Sequence, residues 1–231
     1  MAFGKGNKAR EPAVEPVEWA TVRKFVISTV ERPYTHKRKK PVSGARAVRV
    51  PQGGLDFPVN APCAYLARTA QFGTKTVAGA HVLYEDPESQ RPLCSVDAPK
   101  EAGEERHHVV RDSQGRVIGT LRRVPPKRPF RHTWRLDQPG HPEIIGRNEL
   151  VAGDSKTEMV TRVAVKATLG LVMGLLDGGG EGGDQPTRPR TLEWRAGDEI
   201  VMVSEGSEMV TIEADWIDRR LAFAFALVGD K

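Results

Sequence analysis

At 231 residues, with 39% hydrophobic and 28% charged side chains, the chain has the size and composition of one large globular domain. Its two cysteines, Cys63 and Cys94, exclude a secreted disulfide framework, and each sits among small or apolar neighbours as a buried thiol would. The net charge of +5 is unevenly spread: residues 1–50 carry twelve Lys/Arg against four Glu, a surplus of eight, which leaves the remainder slightly acidic at −3.

The opening "MAFGKGNKAR" lacks the apolar core of a signal peptide, and no apolar run reaches the roughly 20 residues a membrane helix needs. A cytoplasmic protein is the expectation. Residues 1–18, with Pro12 and Pro16 among early positive charges, read as disordered. Trp19, Val22, Val26 and Val30 then recur at helical spacing, which predicts a helix over 17–31, although the β-branched content leaves a strand open. The run "HKRKK" (His36–Lys40) and a Gly/Pro-rich connection follow. The division expected is a basic, largely disordered extension over 1–62 and a folded domain over 63–231.

From about Lys75 the pattern becomes short strands separated by turns. "HHVVRD-SQG-RVIGTLRRV" is the clearest hairpin, because Gly115 in its turn supplies a positive φ. "FRHTWRL" places Phe130, His132, Trp134 and Leu136 on one face, and "EIIGRNELV" follows. Thr157–Leu176 reads as a helix or mixed segment and 177–190 as a flexible glycine-rich loop. "TLEWRA", "EIVMVSE" and "EMVTIEA" supply three further strands. Many short strands with frequent turns point to a sandwich or barrel.

The final run "DWIDRRLAFAFALVGDK" has eight uninterrupted apolar residues, Leu221–Val228. Alternation would suit a strand, but alanine favours helix, Asp215 can cap an N-terminus, Asp218 suits the first turn and Gly229 the stop. A helix over Trp216–Val228 is predicted. Having no polar face, it must be enclosed on all sides, with Trp216, Leu221, Phe223, Phe225 and Leu227 as core.

The segments Val109–Arg123, Phe130–Gly140 and Asp215–Asp230, in this order, resemble the tubby C-terminal-like fold shared by phospholipid scramblases and LURP-one-related proteins. The resemblance implies a closed antiparallel β-barrel around a buried hydrophobic C-terminal helix, and it covers roughly Thr76 to the end. The acidic calcium-binding stretch of scramblases has no counterpart, since Glu205, Glu208, Glu213 and Asp215 spread along strand-like sequence rather than converging.

No enzyme motif is present: the chain lacks G-x-S-x-G, H-E-x-x-H and a phosphate-binding loop. "EERHHVVRD" gathers Glu104, Glu105, His107, His108 and Asp112, but adjacent histidines on a strand face opposite ways. No metal or cofactor is therefore expected. An enzyme would have to bring His107, Asp112 and His132 into one pocket. The strongest local signal is electrostatic: Arg32, His36, Lys37, Arg38, Lys39, Lys40, Arg46 and Arg49 form the candidate ligand-binding surface. An anionic membrane surface is the first partner expected, nucleic acid the weaker second, and a solvated charge run the bland alternative. The function expected is a non-enzymatic binding or scaffold protein, with a nucleic-acid or protein-partner adaptor as the alternative.

Overall fold

The computed structural model describes residues 14–36, 38–53, 58–67, 80–126, 132–148 and 190–229. Thirteen strands and one α-helix form there. The strands are β1 (Lys24–Arg32), β2 (Val42–Gln52), β3 (Val59–Leu66), β4 (His81–Tyr84), β5 (Pro92–Val96), β6 (Lys100–Ala102), β7 (Glu105–Asp112), β8 (Val117–Val124), β9 (Thr133–Asp137), β10 (Ile144–Asn148), β11 (Thr191–Ala196), β12 (Glu199–Glu205) and β13 (Met209–Ile212); α1 spans Arg219–Val228. All pairings are antiparallel, in the order β5-β4-β3-β2-β1-β13-β12-β11-β10-β9-β8-β7. A β5–β7 pairing returns the sheet to its start, so twelve strands close a barrel. The short β6 continues along the same edge of β7 as β5, beyond the break at Asp97–Pro99. This closed antiparallel barrel with a C-terminal helix is the expected architecture.

Antiparallel alternation puts the C-terminal ends of β1, β8, β10 and β12 at one end, here the upper end. The β7–β8, β9–β10 and β11–β12 turns lie at the lower end, where α1 enters. Gly115, in the β7–β8 turn, has φ +80° as that hairpin requires.

The helix is buried on every face from Leu221 to Leu227. Phe223 meets Phe25 edge-on at 4.8 Å between ring centroids, and Phe225 does the same with Trp194 at 4.5 Å and Trp134 at 5.7 Å. Gly119 of β8 lets the helix lie against the wall, since a Cβ there would come within 2.9 Å of both Leu221 methyls. Among the described residues no helix is long and apolar enough to cross a membrane.

Three expectations change. The predicted helix over 17–31 is a single 3-10 turn at Trp19–Thr21 followed by strand β1. Its β-branched residues Val26, Ile27, Thr29 and Val30 fit the pleat, with Phe25 and Ile27 in the main core and Val26 against Met209 outside it. The stretch from Lys24 is accordingly not an extension: β1, β2 and the start of β3 are barrel wall, and the 62/63 boundary falls inside β3, while residues 1–13 lie outside the described residues. Helix α1 starts three residues later than predicted, and its N-cap is Asp218, whose side chain accepts from Arg220 N at 2.9 Å. The carbonyls that would have opened an earlier turn are already taken. Arg219 donates to the Asp215 and Ile217 carbonyls at 2.8 Å each and to Val22 O at 3.3 Å. Thr157–Leu176 and 177–189 lie outside the described residues.

Replacing Phe225 with Ala removes contact with two tryptophans at once and is expected to destabilise the fold by about 3–5 kcal/mol, read from urea unfolding midpoints. Phe225→Asp is expected not to fold, because it buries an unpaired charge.

Candidate anionic-surface interface

The cationic run lies in the connection between β1 and β2. Pro33 ends β1, since it cannot donate to the ladder, and Pro41 precedes β2. Between them the backbone folds into a tight turn. Thr35 N donates to Arg38 O, and Arg38 N to Thr35 Oγ1, each at 2.9 Å; Arg38 Nη1 reaches back to Pro33 O at 3.4 Å. Thr35 is buried by this closure, while His36, Lys39 and Lys40 point into solvent. Arg32 and Arg38 are half-buried, Arg46 is exposed on β2, and Lys37 lies outside the described residues. From Arg32 to Leu55 the sequence holds seven Lys/Arg and no Asp or Glu.

Arg49 does not belong to this surface. Its side chain is fully buried, and its guanidinium donates to Ser28 O and Asn60 O at 3.0 Å, to Ala45 O at 2.7 Å and to Glu31 Oε1 at 3.2 Å. The register between β1 and β2 slips between Ser28 and Val30 and again between Val30 and Arg32. A bulged ladder leaves carbonyls without strand partners. The fork of Arg49 fills that need, and Asn60 Nδ2 joins it by donating to Val30 O at 3.0 Å. Arg49 is therefore a staple that fixes the base of the cationic connection.

Two exposed apolar side chains accompany the charges. The described residues expose three large hydrophobic side chains, and two of them, Tyr34 at 44% and Val42 at 42%, flank this turn. Val42 carries no signal in the sequence, because strand residues of its kind are ordinarily half-buried.

The remaining sequence candidates do not converge. His107 faces outward and bonds Glu105 Oε2 at 3.0 Å, and Glu105 also accepts from Arg122 at 3.2 Å. Arg122 binds Asp137 bidentately at 2.6 and 3.2 Å and also pairs with Glu143, so these groups form an ion network across β7–β10. The hydrogen bond from His107 holds the Glu105 carboxyl below its usual range against some desolvation, and Arg122 adds to the effect. Asp112 caps the β7–β8 turn, accepting from Gln114 N and Arg116 N at 2.9 Å. His108 points inward beside Trp134, with ring centroids 6.1 Å apart. Among the described residues no group of three or more His, Cys, Asp or Glu could hold a metal ion. Cys63 and Cys94 are free and buried, and burial pushes both thiols up to about 12, which leaves them unreactive.

Two tests follow from these buried groups. Arg49→Met leaves Glu31 and three carbonyls without their donor and is expected to cost about 3–5 kcal/mol in urea unfolding. Burial pushes the His108 imidazole below the usual histidine value; a contact with the Asp97 backbone opposes this, while the charges of His81 and Arg106 add to it. A lowered folded-state pKa means that the unfolded chain binds the proton first. Stability is then full above about pH 6.5, the unfolded value, falls as pH drops through it, and levels off below the folded value. His108→Phe is expected to flatten the fall in unfolding midpoint between about pH 7 and 5. Comparison with known proteins adds no homologue to this picture: no family model, curated protein or solved structure matches the chain.

Proposed function

We propose that this chain is a non-enzymatic binding or scaffold protein of the tubby-like superfamily, and that it docks on anionic lipid headgroups through the β1–β2 connection. The observation that carries this reading is the pairing of exposed apolar and cationic side chains on one turn: Tyr34 and Val42 flank His36, Arg38, Lys39 and Lys40. Each Lys or Arg held near an anionic bilayer contributes about 1 kcal/mol, roughly five-fold in partitioning. A tyrosine rests well at the headgroup level, where its ring is covered and its hydroxyl stays wet. An exposed valine gains nothing from a phosphodiester backbone but gains area below the headgroups, which favours lipid over nucleic acid. The turn is also pre-formed by the Thr35–Arg38 hydrogen bonds, so docking orders little new backbone. Because the anionic leaflet of a cell membrane faces the cytoplasm, this reading goes with a cytosolic, peripheral protein.

Flotation with phosphatidylcholine vesicles, with and without phosphatidylserine, tests the proposal. Binding should require phosphatidylserine and weaken as salt is raised. Lys39→Glu with Lys40→Glu should weaken it by at least about 25-fold, from the two cations lost, without changing the unfolding midpoint. Tyr34→Ser should weaken binding while leaving its salt slope unchanged. Retention indifferent to phosphatidylserine would overturn the reading. Tight RNA or DNA binding lost in the same double variant would replace it with the adaptor reading.

A further inference from the structure

The cationic turn also contains a hydroxyl placed for covalent control. Ser43, the second residue of β2, is exposed, and no hydrogen bond among the described residues engages its side chain. Lys40, Lys39 and Arg38 precede it by three, four and five residues, and Arg46 follows by three. The other aliphatic hydroxyl of the connection, on Thr35, is buried and already accepts from Arg38 N at 2.9 Å. Ser43 is therefore the aliphatic hydroxyl of this turn that a macromolecule can reach, the phenol of Tyr34 being no substrate for a serine/threonine kinase.

We propose that Ser43 is a phosphorylation site for a serine/threonine kinase that selects Lys or Arg three residues before the acceptor, and that its phosphate releases the turn from anionic surfaces. The release half of this inference rests on the lipid-docking reading; the modification half does not. Chemically, a P–O bond forms at Ser43 Oγ as the β,γ-bridging P–O bond of ATP breaks. ADP leaves, and the hydroxyl proton passes through the kinase's carboxylate base to solvent.

Access follows from the same irregularity that Arg49 staples. Ser43 pairs with Val30 between two register slips, so the ladder here is interrupted on both sides. Opening the start of β2 breaks few bonds and presents residues 38–45 as an extended strand. The phosphate adds about −1.5 to −2 charges among cations with no Asp or Glu between Arg32 and Leu55. Removing about two positive charges from a docked patch is expected to weaken vesicle binding by roughly 25-fold.

The test uses the full chain, ATP and a kinase of that specificity. One phosphate per chain, mapped to Ser43 by mass spectrometry and absent from Ser43→Ala, is the expected result. No incorporation into the folded chain, or incorporation unchanged by Ser43→Ala, overturns the modification. Phosphorylated and unmodified protein are then compared on phosphatidylcholine–phosphatidylserine vesicles. A loss of about 25-fold supports release, whereas equal binding of the two forms overturns it. If the unmodified protein already ignores phosphatidylserine, the docking reading fails and the release half fails with it, while the phosphate count decides the modification independently.

Discussion

A sheet of twelve strands that closes on itself leaves an interior too wide for its own inward side chains to fill, and close packing demands an occupant that is apolar on every side. Helix α1 is that occupant. Its phenylalanines set the spacing of the wall: Phe225 holds Trp134 and Trp194 apart, and Phe223 does the same work against Phe25 on the far side. The alanines between them reduce the helix radius, and Gly119 removes a side chain where wall and helix would collide. The wall residues, the helix composition and the strand count are answers to one packing problem.

A plug needs a stop, and the lower end of the barrel is built as one. Gln138 grips the entering chain with both ends of its amide, donating to Trp216 O at 3.1 Å and accepting from Asp218 N at 2.9 Å. Trp216 donates to Glu199 and stacks on His141 at 4.6 Å. Arg220 binds Asp218 and lies over Trp19 at 5.3 Å, which ties the N-terminal 3-10 turn to the helix entrance. Arg219 and Arg49 serve one purpose in different places: each is a buried fork that satisfies carbonyls which irregular backbone has left without partners. With the fold locked from below and along β1–β2, the upper turn can carry repelling charges and exposed apolar groups without threatening the core.

What the sequence made legible follows the reach of each signal. The β7–β8 hairpin, the three closing strands and the enclosed helix are encoded by local pattern and read correctly from it. Strand β1 was not legible, because Trp19, Val22, Val26 and Val30 mimic a helical period while Phe25 and Ile27 carry the true alternation. Only pairing with β2 and β13, the latter almost two hundred residues away, decides between them. The role of Arg49 is hidden for a similar reason. In sequence it is one more cation in a basic run, and its burial depends on a register slip that no single residue announces. Most of the proposed interface is visible in the sequence as charge, but the exposure of Val42 is not.

The pairing of β1 with β13 also has a consequence in time. Among the described strands, two pairings join strands that are not successive in the chain, β5 with β7 and β1 with β13, and the second joins the first described strand to the last. During synthesis β1 leaves the ribosome with one edge satisfied by β2 and the other bare until β13 emerges, and the interior stays empty until α1 follows it. Contacts of such sequence separation form slowly, and a bare edge beside an unfilled core invites pairing with a neighbouring chain. The nascent protein is therefore most exposed to such mispairing in the interval between β1 and α1.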